Sequence, residues 1–260
     1  MAVASLVSFN AILLNYTFNT HEFFERNNYL PALFYFLIIG FFPASIHLNG
    51  ELIAHTFIIL AINQLFNIRQ NEPAKSIVFN TAFFIGLASL FNPIYIYFIF
   101  VVFGSLISIR PFKLREYLLP FIALIIPYFW VYLYEPKFYE SFIKFDAYLD
   151  FERLATSVII LPNLFIVLLL IISGIKINKR LNSSSIRFRR LSRIILINVL
   201  FSVVVSSIMF LQFKSYYYFS IGAISLPFIL SYSILEDKKR FNLSKVIIYI
   251  LFAFQLIKFV

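Results

Sequence analysis

Two long apolar runs flank a short charged stretch in the middle of the chain, and this pattern limits the possible folds most. The runs cover residues 94–109 and 117–134, and the stretch between them, residues 110–116, holds three basic side chains. A tight basic turn between two such runs is typical of a membrane hairpin whose loop stays in the cytoplasm. The sequence therefore predicts membrane-crossing helices and an orientation for the other segments.

The composition also indicates a lipid environment. Hydrophobic residues make up 61% of the 260 residues, and charged residues make up 13%, which is about half of the roughly 25% usual in soluble domains. Because so few polar side chains could not cover the surface of a globule of this size, we expect the chain to be surrounded by lipid. The chain has no cysteine, which excludes disulfides, thiol catalysis and cysteine-ligated zinc.

Ten apolar segments are predicted to span the membrane as α-helices, because lipid offers backbone groups no other hydrogen-bond partner. Most are 15 to 20 residues long, at or below the usual spanning length of about 20. The expected fold class is all-α, a polytopic transmembrane bundle of about ten helices that forms a single domain over residues 1–260. The segments are 2–18, 29–46, 52–68, 76–91, 94–109, 117–134, 157–175, 194–211, 216–235 and 246–260.

The basic residues give this topology an orientation. With loop 110–116 in the cytoplasm, 17 of the 22 Lys and Arg fall in loops on that side, in agreement with the positive-inside rule. Both termini then face the exterior. Because an exterior N-terminus is unusual for a first helix without a leader, we expect a further helix before Met1. The predicted cytoplasmic loops are 19–28, 69–75, 110–116, 176–193 and 236–245.

A long exterior loop is predicted over residues 135–156, and part of it is amphipathic. Its apolar side chains recur at helical spacing, which is typical of a helix that lies in the membrane plane. Asp146 and Asp150 lie one turn apart at the edge of this helix. They are candidate catalytic residues, since a carboxylate pair could hold a divalent cation that bridges to a lipid phosphate; a solvated polar face is the alternative. The apolar positions are Phe138, Phe142, Phe145 and Leu149.

His47, Glu51 and His55 follow one another at intervals of four, so on a continuous helix they would share one face. Two imidazoles and a carboxylate can bind zinc or form an acid/base pair, and ordinary interfacial polar residues are the alternative. Asn49-Gly50 is expected to break the helix between His47 and Glu51. We treat these three residues as candidate catalytic residues and predict neither a bound metal nor a cofactor.

Basic residues of the cytoplasmic loops are predicted to contact anionic lipid headgroups, at about 1 kcal/mol for each one near the membrane surface. The predicted partners are therefore membrane lipids, with a lipid-linked substrate or other membrane proteins as further partners. Nucleic acid is not predicted, despite the net charge of +10, because no soluble domain would carry that surface. The predicted contact residues are Arg110, Lys113, Arg115, Lys179, Arg180, Arg187, Arg189 and Arg190.

Within the predicted helices the polar groups are amides rather than charges, which argues against proton- or ion-coupled transport. Small residues at Gly86, Ala88 and Ser89 predict that another backbone approaches closely there. Asn92-Pro93 predicts a sharp exterior turn, because proline fixes its own φ and restricts the preceding residue; a kink in one re-entrant helix is the alternative. The amides expected to be buried are Asn63, Gln64, Asn80, Asn163 and Asn198.

Two sequence motifs resemble those of an uncharacterised family of bacterial multi-pass inner-membrane proteins. Residues 79–93 read FNTAFFIGLASLFNP and residues 110–116 read RPFKLRE, similar to the family's F-D-A-G…G-L-A-S-L-F-Y-x-P helix and R-P-F-x-x-R-E loop. Residues 27–35 are similar to its Y-L-P-A-L segment. The resemblance covers most of the chain before Tyr134 and implies a bacterial inner-membrane location. Asn80 departs from it, since the family tends to have Asp there.

The architecture is also similar to that of polytopic glycosyltransferases that use polyprenyl-phosphate sugars. This similarity implies a catalytic acid in the first exterior loop, which would lie before Met1 or be replaced by residues 47–51. A carotenoid-oxygenase activity, a label that some members of the resembling family bear, is rejected, because three histidines cannot supply four iron ligands.

Three functional hypotheses follow. The first is a membrane scaffold or assembly component, and the alternative is a glycosyltransferase-like enzyme acting on a lipid-linked substrate at the exterior face. A small-molecule transporter is the third.

Overall fold

The structure is a computed structural model that describes residues 2–25, 27–41, 49–70, 72–134, 156–213, 216–235 and 243–258. Over these ranges the chain is helical and contains no strand, which confirms the all-α class. The predicted interfacial helix over 138–149, with Asp146 and Asp150, lies outside the described residues, as does His47. The chain divides into two compact units.

The first unit contains residues 1–47, 150–189 and 215–260. Its α2 packs against α1, α9, α10 and the 3₁₀ segment Tyr216–Ile224, and α7 packs against α9 and α10. An aromatic cluster of Phe18, Phe23 and Phe228 lies at its core, with Phe23 and Phe228 ring centroids 4.9 Å apart. Its α-helices are α1 (Ala2–Thr20), α2 (Leu30–Phe41), α7 (Thr156–Ser183), α9 (Leu226–Leu235) and α10 (Leu243–Lys258).

The second unit contains residues 48–149 and 190–214. Its centre is α4, which packs against α3, α5, α6 and the 3₁₀ segment Pro93–Phe98. Most of α8 belongs to this unit, where Gly104 lies against Ile197 and the rings of Phe100 and Phe201 stack. Its helices are α3 (Gly50–Leu65), α4 (Lys75–Phe91), α5 (Ile99–Ile109), α6 (Leu114–Tyr134) and α8 (Ile186–Phe213).

The α4–α6 contact follows from the small residues of α4. A Cβ atom at Gly86 would lie 2.9 Å from the backbone oxygen of Leu124 and 3.0 Å from Cγ of Pro127. Tyr128 donates a hydrogen bond to Ser89 Oγ at 2.8 Å across the same interface. The close backbone approach predicted from Gly86 and Ser89 is therefore confirmed.

Two of the described helices are long and apolar enough to cross a membrane, judged by length and composition. They are α6 and the Ile186–Gln212 part of α8. A third span results if Tyr218–Ile224 of the 3₁₀ segment and α9, bent by 57°, count as one. Shorter apolar helices such as α4, with 17 residues, reach about 26 Å, less than the hydrocarbon thickness of about 30 Å. These helices support the prediction of a membrane protein. The predicted number of ten spans remains a prediction.

The region 176–193, predicted as a cytoplasmic loop, is almost entirely helical. Helix α7 continues to Ser183 and α8 begins at Ile186, which leaves a two-residue turn. Lys, Arg and Leu are good helix formers, and Arg180 lies in the last turn of α7, where a positive charge is favourable. Ser185 caps α8 by accepting a hydrogen bond from the Phe188 N–H at 3.3 Å, as N-terminal caps do.

The amide side chains that were predicted to be buried differ in their exposure. Asn198 is buried, whereas Asn63 and Gln64 are half-buried. Asn80 is exposed, so the prediction of burial was wrong there. The side chain of Asn163 lies outside the described side chains.

Candidate functional site

The candidate site is at the start of α3. The side chain of Asn49 accepts a hydrogen bond from the Leu52 N–H at 3.1 Å and so caps the helix. Glu51 follows in the first turn, where the helix dipole stabilises a carboxylate. The helix thus begins at Gly50, after the predicted break, and the part of the site that the structure describes starts with Glu51.

Gly50 allows this helix start to lie directly on the end of α4. A Cβ atom there would overlap the carbonyl oxygen of Phe91, so any side chain would displace one of the two backbones. Asn92 then ends α4, and its Oδ1 accepts a hydrogen bond from the Ile94 N–H at 3.2 Å. The chain turns at Pro93 as predicted, and the next turn brings Tyr95 against α3.

Glu51, His55 and Tyr95 form a buried polar cluster in this corner. Their exposed fractions are 2%, 0% and 0%. Glu51 Oε1 and His55 Nε2 are 3.8 Å apart, and the His55 and Tyr95 rings meet edge to face with centroids 5.8 Å apart. Of the predicted catalytic residues, the structure therefore brings Glu51 and His55 together.

A buried carboxyl and imidazole one helical turn apart can hold and exchange a proton. The distance of 3.8 Å between Glu51 Oε1 and His55 Nε2 is too long for a hydrogen bond. Among the residues that the structure describes, no three His, Cys, Asp or Glu side chains come together as a metal site would require. The arrangement of Glu51 and His55 supports acid/base chemistry.

No sequence pattern indicated that Tyr95 is part of the site. It lies in an aromatic-rich 3₁₀ segment with no motif of its own, and only the fold brings its ring to His55. The turn at Asn92-Pro93 was the one available signal that the chain reverses there.

The second unit also contains a buried ion pair, between the first and last residues of the RPFKLRE motif, Arg110 and Glu116. Arg110 is 6% exposed and Glu116 is 2% exposed. The guanidinium of Arg110 pairs with both oxygens of the Glu116 carboxylate at 3.2 Å and donates to the backbone carbonyls of Arg69 and Glu72. Glu116 Oε1 also accepts a hydrogen bond from the Ala74 N–H at 3.3 Å.

This burial corrects the lipid-headgroup contact predicted for Arg110. Its guanidinium lies inside the unit, where it binds the carbonyl groups of the 66–74 loop. Lys113 and Arg115 are exposed beside the exposed apolar side chains of Phe112 and Leu114. These two basic residues keep positions that fit the predicted headgroup contact.

The basic residues on either side of the turn between α7 and α8 also differ in accessibility. Lys179, Arg187 and Arg189 are exposed, and Arg190 is half-buried. Arg180 lies 3.0 Å from a carboxylate oxygen of Glu25, and its guanidinium lies over the Phe188 and Tyr232 rings.

Comparisons with known proteins add no function to this geometry. No family model, no curated protein and no solved structure matches the chain.

Proposed function

We propose that the chain is a multi-pass protein of a bacterial inner membrane that acts as a scaffold or assembly component. The observation that carries this proposal is the outer face of α6. This 21-residue helix presents eight large side chains with exposed fractions of 52–60%, an apolar surface that water would solvate poorly. They are Leu118, Phe121, Ile122, Ile125, Phe129, Trp130, Tyr132 and Leu133.

Hydrocarbon chains or the helices of another membrane protein would cover this face. Two buried charged groups of the second unit, Arg110 and Glu116, pair with each other and so hold the unit together. In a scaffold, affinity for a partner comes from the packing of exposed apolar side chains against the partner's helices. A membrane component that assembles with other proteins accounts for both observations.

The proposed topology has about ten spans, with loop 110–116 in the cytoplasm. Lys113 and Arg115 are exposed next to exposed Phe112 and Leu114. Apolar side chains that reach into the membrane beside cations at the headgroup level are typical of a cytoplasmic interface. The proposed resemblance to the bacterial inner-membrane family fits this orientation, since the same loop carries its R-P-F-x-x-R-E signature.

The absence of cysteine makes this orientation directly testable. A Lys113→Cys variant in intact cells should resist a membrane-impermeant maleimide and should react after the inner membrane is inverted. Tyr134→Cys, at the other end of α6 and 85% exposed, is the matched control and should react in intact cells. The reverse labelling pattern would invert the topology.

The scaffold role is tested by photo-crosslinking from α6. A benzophenone amino acid at Ile125, on the exposed face, should yield a crosslinked protein of defined mass in cells. The same group at Ala123, which is buried in the same helix, should yield none. If Ile125 gives only lipid adducts, the face contacts the bilayer alone and the scaffold proposal fails.

The second candidate function is a glycosyltransferase-like enzyme that acts on a lipid-linked substrate at the exterior face. The buried Glu51–His55 pair favours it, because ionisable groups inside a membrane protein mark functional sites by default. A sugar-transfer assay with a polyprenyl-phosphate-linked donor in proteoliposomes tests this candidate. Turnover that Glu51→Gln abolishes would support it, and turnover unchanged by that substitution would exclude Glu51 as the acid or base.

A further inference from the structure

The buried pair of Arg110 and Glu116 brings two distant segments of the second unit together. Arg110 donates a hydrogen bond to the Arg69 carbonyl at 2.8 Å, and Glu116 accepts one from the Ala74 N–H at 3.3 Å. The two segments that carry these groups are about 40 residues apart in the chain and lie side by side in the fold. Side chains that are distant in the sequence can therefore act together here.

The two segments, residues 69–75 and 110–116, present exposed cations on this common surface. In each segment one arginine is paired with one glutamate. The other charged side chains of the two segments are all basic and all exposed. They give the surface a net positive charge, which attracts anions. These cations are Lys75, Lys113 and Arg115.

Backbone hydrogen bonds around Glu116 hold the three cations near one another. Lys75 directly follows Ala74, whose N–H donates to the Glu116 carboxylate. Arg115 directly precedes Glu116, and the Lys113 carbonyl accepts a hydrogen bond from the Glu116 N–H at 2.9 Å. An anion with several oxygens, such as a phosphate, can accept hydrogen bonds from more than one such cation.

Exposed apolar side chains flank the same cations. Phe112 and Leu114 are 69% and 61% exposed and alternate along the chain with Lys113 and Arg115. The Phe112 ring lies against the Tyr117 ring, with centroids 4.7 Å apart. A small soluble anion would need the cations alone. Apolar side chains beside cations instead fit a membrane surface, where headgroups bind the cations and acyl chains cover the apolar groups.

We propose that the two segments form one binding site for the phosphate of an anionic phospholipid. Lys75, Lys113 and Arg115 contact the phosphate. Phe112 and Leu114 enter the acyl region beside it. The site depends on the proposed topology, which places the RPFKLRE loop at the cytoplasmic surface, and it identifies the class of lipid that binds there. Lys75, for which the sequence predicted no lipid contact, joins the site because the fold brings its segment to the RPFKLRE loop.

Native mass spectrometry of the full chain in a nonionic detergent measures this binding. Phosphatidylglycerol is the anionic probe, and phosphatidylcholine with the same acyl chains is the comparison without net charge. We expect phosphatidylglycerol to bind in preference. Lys75→Gln and Lys113→Gln should each weaken its binding about fivefold, since one basic residue near the surface contributes about 1 kcal/mol.

Lys245→Gln is the matched control. Lys245 is an exposed lysine outside the two segments, and the predicted topology places it on the same side of the membrane. This variant should bind phosphatidylglycerol as tightly as the wild type does. All of these substitutions replace exposed side chains, so the variants should fold. If either variant of the site does not, Arg115→Gln takes its place.

Equal affinity for the two lipids would overturn the proposal, as would unchanged binding by Lys75→Gln or an equal loss in Lys245→Gln. Displacement of the lipid by an equimolar amount of glycerol phosphate would show that the site takes a soluble phosphate, and would also overturn it. Binding in detergent depends neither on membrane orientation nor on a protein partner. Its failure is therefore distinguishable from failure of the topology, which cysteine labelling tests, and of the scaffold role, which crosslinking from α6 tests.

Discussion

Each of the two units fastens a loop to its helices with charged side chains, and the two do so in opposite surroundings. In the second unit, Arg110 and Glu116 are buried and hold loop 66–74 through its backbone. In the first unit, loop 21–25 is held by ion pairs of Glu22 with Arg187 and of Glu25 with Arg180. The side chains of Arg187 and Glu22 are 60% and 75% exposed.

The comparison shows that the surroundings, rather than the residue types, set the energy of an ion pair. Buried partners have lost their water, so removing one leaves the other uncompensated. Exposed partners keep most of their hydration, and salt screens their attraction. In the first unit, the aromatic cluster around Phe23 and the hydrogen bond from Tyr232 to the Phe23 carbonyl hold the loop more firmly than its ion pairs do.

The largest expected effect comes from breaking the buried pair. Arg110→Gln should lower the free energy of unfolding by about 3–5 kcal/mol, because it leaves the Glu116 carboxylate buried without its cation. Titration with a denaturing detergent in mixed micelles measures this loss. Arg115→Gln is the control, since Arg115 is exposed in the next turn and should change stability by less than about 0.5 kcal/mol.

The double variant Arg110→Gln/Glu116→Gln sharpens the same test. Its cost should be clearly less than the sum of the two single costs, because no charge remains buried alone. Additive costs would mean that the two side chains act independently, contrary to the ion pair in the structure.

The next effect concerns how tightly helices pack in the two units. Gly86→Ala should cost about 1–3 kcal/mol, because the new Cβ would press on the Leu124 backbone and on Pro127. Gly174→Ala in α7 is the matched control, since no atom lies within 4 Å of its Cβ position. That change should stabilise the chain by up to about 1 kcal/mol. The melting temperatures of fluorescent fusions, followed by size-exclusion chromatography, should move in opposite directions.

Loss of the Tyr232 hydroxyl should have a smaller effect. Tyr232→Phe removes the 2.8 Å hydrogen bond to the Phe23 carbonyl and should cost about 0.5–1.5 kcal/mol. Tyr249→Phe, at an exposed tyrosine of the same unit, should be neutral. Equal unfolding curves for the two variants would show that this hydrogen bond does not hold loop 21–25.

The exposed ion pair of Glu22 and Arg187 should contribute least to the free energy of unfolding. Arg187→Gln should cost about 0.2–1 kcal/mol at low salt, and the difference from wild type should shrink as ionic strength rises. Arg110→Gln should keep its full cost over the same salt series, because protein shields that pair. A salt-independent loss for Arg187→Gln would contradict the comparison between the units.

Predictions from the sequence were confirmed where all the residues of a pattern lie within one short stretch of the chain. Apolar runs became helices, Asn49-Gly50 began α3, and Gly86 allowed the contact with α6. Glu51 and His55 met as expected for residues four apart on a helix. These predictions depend on spacing within a single helix, which backbone geometry determines.

Predictions failed where the outcome depended on distant segments. A basic stretch at 176–193 was interpreted as a loop, although its residues form helices well and the charges can lie on their outer faces. Asn80 was expected inside but faces outward. Arg110 was expected at the membrane surface, and its partners in the 66–74 loop, about 40 residues earlier in the chain, have no signature of their own.

By itself, the sequence determined that the chain is helical and that it suits lipid, because composition and apolar run length are properties of local stretches. The tertiary structure alone decided which charges are exposed and which are buried. It paired Arg110 with Glu116 inside the second unit and brought Tyr95 to the Glu51–His55 pair. The reason is physical: the energy of a charge depends on the atoms within a few ångströms of it, and folding brings most of those atoms from elsewhere in the chain.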